Sequence, residues 1–185
     1  MRFITPFLFA APVAFAAMTF PAAAAEIATG AKMPAGFAAK DAAGKPRTLA
    51  SVAGKKGTIL VLFRSAKWCP YCQAQLKELK AAQAELGARG YNIVGLSYDA
   101  PETLAAFASK TGISYPLLSD EKSAMIDALG LRDPAYAAGS FAAGVPKSSA
   151  LIIDKSGVVR WKSVATDYKV RPQNGAIIAA VDALK

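Results

Sequence analysis

Two cysteines are the only thiols of a 185-residue chain, and they stand three residues apart, in Trp68-Cys69-Pro70-Tyr71-Cys72. Thiols at that spacing interconvert between a dithiol and an intramolecular disulfide, so the chemistry they invite is redox chemistry. Their setting supports it. The preceding run Thr58 to Phe63, Thr-Ile-Leu-Val-Leu-Phe, is apolar on both faces, as a strand buried inside a parallel sheet requires. A helix-like segment follows. With Cys69 as N-cap and Pro70 as the first helical residue, the proline's fixed φ suits its position and its missing N–H costs nothing. Cys69 then meets the unpaired amides of a helix N-terminus, which lower a cysteine from its usual ~8.5 towards neutrality. Cys69 is the expected nucleophile. Cys72, at i+3 on the same helical face and deeper, is the expected resolving partner.

Two other uses of the pair are weighed against this one. As a structural staple, a disulfide closing so short a loop adds only ~2 kcal/mol, and a chain of this length buries enough core to do without it. As metal ligands, two thiols with no histidine in the chain leave a tetrahedral zinc site incomplete, so a metal held here would be a soft one bound by thiolate.

Residues 1 to 25 read as an export signal. Arg2 gives a short positive start, Ile4 to Val13 is largely apolar, and Ala23-Ala24-Ala25 offers a cleavage site ahead of Glu26, with Ala14-Phe15-Ala16 as a second. Pro6, Pro12, Pro21 and the alanine-rich second half argue against a membrane anchor. The mature protein is then extracytoplasmic, with a bacterial periplasm the compartment the alanine-rich site suggests, and disulfides persist there. Residues 26 to 185 have the size of one domain, without linker or repeat. Without Arg2 the basic residues fall from 22 to 21 against 13 acidic, a net of +8. They are scattered: Lys55-Lys56 is the only adjacent basic pair within this span and no aromatic ladder accompanies it, which argues against a nucleic-acid surface and leaves a solvated basic surface as the default.

The elements that must position the cysteines follow from periodicity and turn chemistry. Phe37 to Leu49 reads as a hairpin about Asp41-Ala-Ala-Gly44. The helix after Cys72 puts Leu76, Leu79 and Leu86 inward and ends near Gly87 and Gly90; Tyr91 to Tyr98 is the next parallel strand, completing a β-α-β unit. Asp99 and Glu102 form an Asp-x-x-Glu capping pattern for a helix from about Pro101 to Lys110 that stops at Gly112. Tyr115 to Leu118 is extended, and Ser123 to Leu129 is a short helix. Leu131 to Gly144 lacks periodicity and reads as a long loop, functional by its length and its position ahead of Pro146, with a disordered insert as the alternative. Ala150 to Asp154 and Val158 to Trp161 form a hairpin about Lys155-Ser156-Gly157, and Gly175 to Leu184 is a final amphipathic helix.

That order of hairpin, strand, W-C-x-x-C, helix, strand and helix, then Gly144-Val145-Pro146 before Ser-Ser-Ala-Leu-Ile-Ile-Asp, resembles the thioredoxin fold. More narrowly the chain is similar to the redoxin superfamily of alkyl hydroperoxide reductases and thiol-specific antioxidants, over nearly all of Met33 to Lys185. The expected fold is α/β: a central mixed sheet flanked by helices, with an N-terminal hairpin. The resemblance implies that Cys69 attacks and Cys72 resolves. It implies a cis peptide at Pro146 beside the active cysteine, with Val145 a free backbone edge able to pair with an extended substrate. Trp68, Pro70 and Tyr71 would shape the site, with Trp68 shielding the disulfide. Two departures stand out. No acid occupies Val61-Leu62-Phe63, where thioredoxins bury an aspartate, and Ala66 stands three residues before Cys69 where peroxiredoxins place a hydroxyl, Ser65 being one further away. Arg64 and Lys67 are candidates for positive charge near Cys69, with solvated surface as their plainer role.

The resemblance implies an enzyme that needs no cofactor and no metal. The favoured activity is reduction of hydroperoxides through a Cys69/Cys72 dithiol-disulfide cycle, completed by an external thiol donor. The alternative substrate is a protein disulfide, making the chain an exported thiol-disulfide reductase. The non-enzymatic alternative is Cu(I) binding, against which the cysteine spacing and missing histidine both count.

Overall fold

The computed structural model describes residues 24–184. The leader expected over 1–25 therefore lies outside the described residues, apart from Ala24 and Ala25.

Strand β3 (Gly57–Leu62) is buried at all six positions. It has core on both faces because it is central: it runs parallel to β4 (Tyr91–Ser97) on one side and antiparallel to β6 (Ser149–Asp154) on the other. Around it, among the described residues, the sheet extends to seven strands, with β5 (Leu117–Ser119), β1 (Ala39–Lys40) and β2 (Pro46–Arg47) following in turn beyond β4 and β7 (Val159–Val164) beyond β6. The hairpin β1 (Ala39–Lys40) and β2 (Pro46–Arg47) forms one edge, joined through Lys40 to Ser119 of β5 (Leu117–Ser119). Asp41 closes its turn by accepting the amides of Ala43 and Lys45 and pairing with Arg47. The other edge is β7 (Val159–Val164). A four-residue helix α1 (Leu49–Val52) follows the hairpin, capped by Thr48.

The two faces of the sheet carry separate cores. Ile59, Val61 and Phe63 point to the face covered by α2 (Pro70–Ala88), α3 (Pro101–Thr111) and α5 (Asn174–Asp182), through Leu76, Leu79, Leu86, Leu104, Phe107, Ile177 and Val181. Leu60 and Leu62 point to the opposite face, packed by Ile126 of α4 (Ala124–Ala128), Leu129, Leu131, Ile27 and the hairpin's Phe37. This alternation is the period-two rule of a strand working on two cores at once.

One expectation is corrected here. The cap of α3 is Ala100, which makes no side-chain hydrogen bond. Asp99 does not cap the helix, because its carboxylate is turned towards the loop that follows β3 and takes two hydrogen bonds there, from Ser65 and Ala66, and a third from Ser97 of β4. Residues 131–144 form the expected loop, with turns but neither helix nor strand.

Candidate active site

Chain leaving the buried end of β3 must bring Cys69 to the start of α2 within seven residues, and a buried polar knot fixes its path. Ser65 Oγ donates to Asp99 Oδ1 (2.8 Å) while accepting the amides of Lys67 (2.9 Å) and Trp68 (3.3 Å). Asp99 Oδ2 accepts the Ala66 amide at 2.7 Å and the Ser97 hydroxyl at 3.1 Å. Gln73 of α2 donates to the Ala66 carbonyl at 2.8 Å. Burial pushes the Asp99 carboxyl above its ordinary value, and these three donors partly offset the shift.

Cys69 is the N-cap of α2, Pro70 its first residue, and Cys69 Sγ accepts the Cys72 amide at 3.2 Å. The two cysteines are joined by a disulfide with Cα atoms 5.2 Å apart. Cys72 is fully buried and Cys69 only 2 % exposed. The donor count at the cap is small, but it is aimed at sulfur, as thiolate chemistry requires.

The charge beside the sulfurs comes from a residue that the sequence pattern did not single out. Arg171 Nη2 lies 3.3 Å from Cys72 Sγ and 3.9 Å from Cys69 Sγ, and its other terminal nitrogen donates to the Tyr168 carbonyl. Burial and the neighbouring Arg64 push its pKa down to about 10, with Asp167 acting the other way. Arg64 is 2 % exposed, so its surface role is corrected. Its guanidinium lies 4.1 Å from the ring centre of Tyr168, 4.7 Å from that of Tyr136 and 5.0 Å from that of Trp68, and it donates to the Tyr136 hydroxyl. Lys67 is exposed. Arg64 therefore reaches the site as a stacked cation that ties the loop 131–144 and the 165–173 segment to Trp68.

Aromatic rings rim the pair. Trp68 donates from Nε1 to the Tyr98 hydroxyl (3.0 Å) and meets Phe141 edge-on, and Tyr71 meets Tyr168 edge-on. Trp68 packs against the core cluster that holds both cysteines. The expectation for Val145 and Pro146 is overturned in two respects. No described peptide is cis, so the bond before Pro146 is trans. Val145 is fully buried, its carbonyl accepts the Asp133 amide, and Arg132 bridges Pro146. The loop 131–133 already occupies the edge that a substrate strand would need.

Asp99 was readable in principle, since functional groups of parallel sheets gather at the carboxyl ends of strands. Arg171 was not: about a hundred residues separate it from either cysteine, in a stretch without pattern. Among the described residues no three or more carboxylates, cysteines or histidines gather as a metal site would need.

Comparison with known proteins gives the same outline. The model of the AhpC/TSA family matches residues 29–162. The chain is 32 % identical over 142 residues to a Mycobacterium tuberculosis protein assigned to the peroxiredoxins, covering 77 % of this chain and 85 % of that one. It is 28 % identical over 142 residues to peroxiredoxin Bcp of Escherichia coli, covering 77 % and 88 %. Among solved structures, peroxidoxin BcpB of M. tuberculosis superposes with a TM-score of 0.72 at 22 % identity, covering 85 % and 97 % of the two chains. Reduced Prx3 of Vibrio vulnificus in complex with hydrogen peroxide gives 0.73 at 24 %, covering 84 % and 99 %. These structures share the thioredoxin-like fold.

Proposed function

The chain belongs to the AhpC/TSA family and is a peroxiredoxin-like thiol oxidoreductase, and from that premise we propose that it is an exported peroxidase that reduces hydroperoxides through Cys69 and Cys72. The observation that carries this reading is the Cys69–Cys72 disulfide at the N-terminus of α2 with the Arg171 guanidinium against both sulfurs.

In the reduced protein, the Cys72 amide and Arg171 favour thiolate at Cys69. The thiolate attacks the terminal peroxide oxygen, the O–O bond breaks, Cys69 becomes a sulfenic acid and the alkoxide leaves as the alcohol with one proton. Arg171, with Nη2 3.9 Å from Cys69 Sγ, supplies the guanidinium that neutralises the charge developing on that leaving oxygen. The Cys72 thiol then attacks the sulfenic sulfur, water departs, and the disulfide forms. An external thiol donor reduces it. Export by the segment 1–25, with residues 26–185 as the mature domain in the periplasm, is part of the proposal; the apolar leader and its A-x-A site support it.

The test is loss of both thiols in the reduced protein on mixing with hydrogen peroxide or an organic hydroperoxide, followed by Trp68 fluorescence and thiol titration. Thiol loss far faster than for a free cysteine is expected, and Cys69→Ser is expected to abolish turnover. Full turnover in that variant would sink the assignment.

A further inference from the structure

One buried guanidinium, Arg64, and one half-buried guanidinium, Arg171, sit beside the disulfide site without an anion. Arg64 and Arg171 each leave a buried Nε without an acceptor, and among the described residues neither forms an ion pair with a carboxylate. The charged groups around them do not change this. Asp167 acts on Arg171 only at a distance, Asp99 is taken up by Ser65, Ser97 and Ala66, and Lys67 and Lys169 add further positive charge. A buried cation without a partner is costly. Opening the disulfide supplies the missing anion, a thiolate 3 to 4 Å from Arg171. The arrangement therefore favours the dithiol state over the disulfide, and a disulfide whose reduced form is stabilised is a strong oxidant.

The surface around the pair points to what it oxidises. Five large apolar side chains are exposed among the described residues, and four of them, Tyr71, Phe141, Tyr168 and Val170, belong to the segments that rim the disulfide. Phe141 is 78 % exposed while its ring rests on Trp68. An apolar collar of this kind fits a chain that presents apolar side chains and thiols together, which a folded protein does not and an unfolded one does.

We propose that the Cys69–Cys72 disulfide is passed on to the dithiols of reduced, incompletely folded polypeptides, which bind the aromatic collar. This rests on the peroxidase reading for the origin of the disulfide. A substrate thiolate attacks Cys69 Sγ, the Cys69–Cys72 bond breaks and its electron pair goes to Cys72 Sγ beside Arg171. The substrate's second thiolate attacks its own sulfur in the mixed disulfide and expels Cys69 as thiolate. Two electrons pass from the substrate to the cysteine pair, and one hydroperoxide, reduced to alcohol and water, takes them up again. Cys69 is only 2 % exposed, so docking on the collar must open the rim over it while Arg171 stays at the sulfurs.

The experiment equilibrates the protein with glutathione buffers of graded ratio, beside thioredoxin, and quantifies free thiols after alkylation. Protein oxidised with diamide is then mixed, without peroxide, with reduced unfolded ribonuclease A. The expected midpoint lies at least about tenfold to the oxidising side of thioredoxin, and the ribonuclease loses two thiols per disulfide consumed. Arg171→Met is expected to make the disulfide about tenfold harder to reduce, or about 30 mV for a two-electron couple, while Arg171→Lys stays near wild type. A midpoint at thioredoxin's ratio, or no thiol loss from ribonuclease, overturns the inference. Because the disulfide is made with diamide, neither result depends on peroxide turnover; failure of the reduced protein to consume hydroperoxide would overturn the peroxidase reading alone.

Discussion

Asp99 Oδ2 accepts the backbone amide of Ala66 at 2.7 Å, so a carboxylate at the end of β4 holds the loop that carries Cys69. Burial raises this carboxyl above its ordinary value, and the folded protein therefore holds its proton more tightly than the unfolded chain does. The stability gained from that proton is complete below about 3.9 and is lost as pH rises through the raised folded value. Asp99→Asn has no such proton. The unfolding free energy of wild type minus that of the variant is expected to fall with rising pH across this window, by at most about 1.4 kcal/mol per unit, and to level off above it. Urea titrations in half-unit steps measure it, and a difference that grows with pH would contradict the account. Asp99→Ala, which leaves the Ala66 amide buried and unpaired, is expected to slow thiol oxidation by hydroperoxide about tenfold or more through loss of loop placement.

The two cysteines have separable roles in the proposed cycle. Cys72→Ser keeps the Cys69 thiol at the helix N-cap but removes its partner, so one equivalent of hydroperoxide is expected to leave a sulfenic acid on Cys69. Dimedone labelling and mass spectrometry locate it. Cys69→Ser is expected to give no rapid labelling; a rapid sulfenic acid on Cys72 in that variant would reverse the assignment, since Arg171 is in fact the nearer to Cys72.

Arg64 couples the loop 131–144 to the site by stacking on Tyr136 and by donating to its hydroxyl. Arg64→Met retains much of the apolar bulk and loses the charge. It is expected to leave the core intact and to raise proteolytic cleavage within 131–144 at least severalfold, since that loop has neither helix nor strand to hold it. Trp68 emission is expected to change as well, because the guanidinium lies 5.0 Å from its ring centre. Unchanged cleavage would remove Arg64 from the tether.

Much of this architecture is legible in the sequence because local rules govern it. Cys69-Pro70 reads as an N-cap with proline at the first position, and the run before it reads as a strand with core on both sides, since both signals lie within a few residues of each other. What escapes is non-local. Arg171 meets the cysteines only because the chain returns after β7, and Arg64 becomes a buried cation only because Tyr136 and Tyr168 arrive from two distant segments. Asp99 is the instructive error: its spacing from Glu102 suits a cap, but the buried amide of Ala66 competes for the same oxygen and wins, because leaving that amide unpaired in the core costs more than leaving a solvated helix end uncapped. Pro146 and Val145 fail for a related reason, as residues 131–133 fold back on them.

Gly95 shows how far the core reaches into the site. A Cβ added there would stand 2.7 Å from Leu117 Cδ2 and 3.0 Å from Phe63 Cε1. Phe63 is the last buried residue of the β3 run before the active loop, its amide bonded to the Leu96 carbonyl. Gly95→Ala therefore pushes Phe63 against a face already filled by α2, and an overpacked core of this kind costs about 1–3 kcal/mol. Because the ring shares a backbone with Ser65 and Ala66, the same substitution is expected to slow thiol oxidation as well as to lower the urea midpoint. Phe63→Leu removes the contacted ring edge. Combined with Gly95→Ala it is expected to destabilise by less than the sum of the two single changes, with a coupling of at least about 0.5 kcal/mol. Strict additivity would mean that the added methyl is absorbed at Leu117, and the slowing of the site would then have to be absent too.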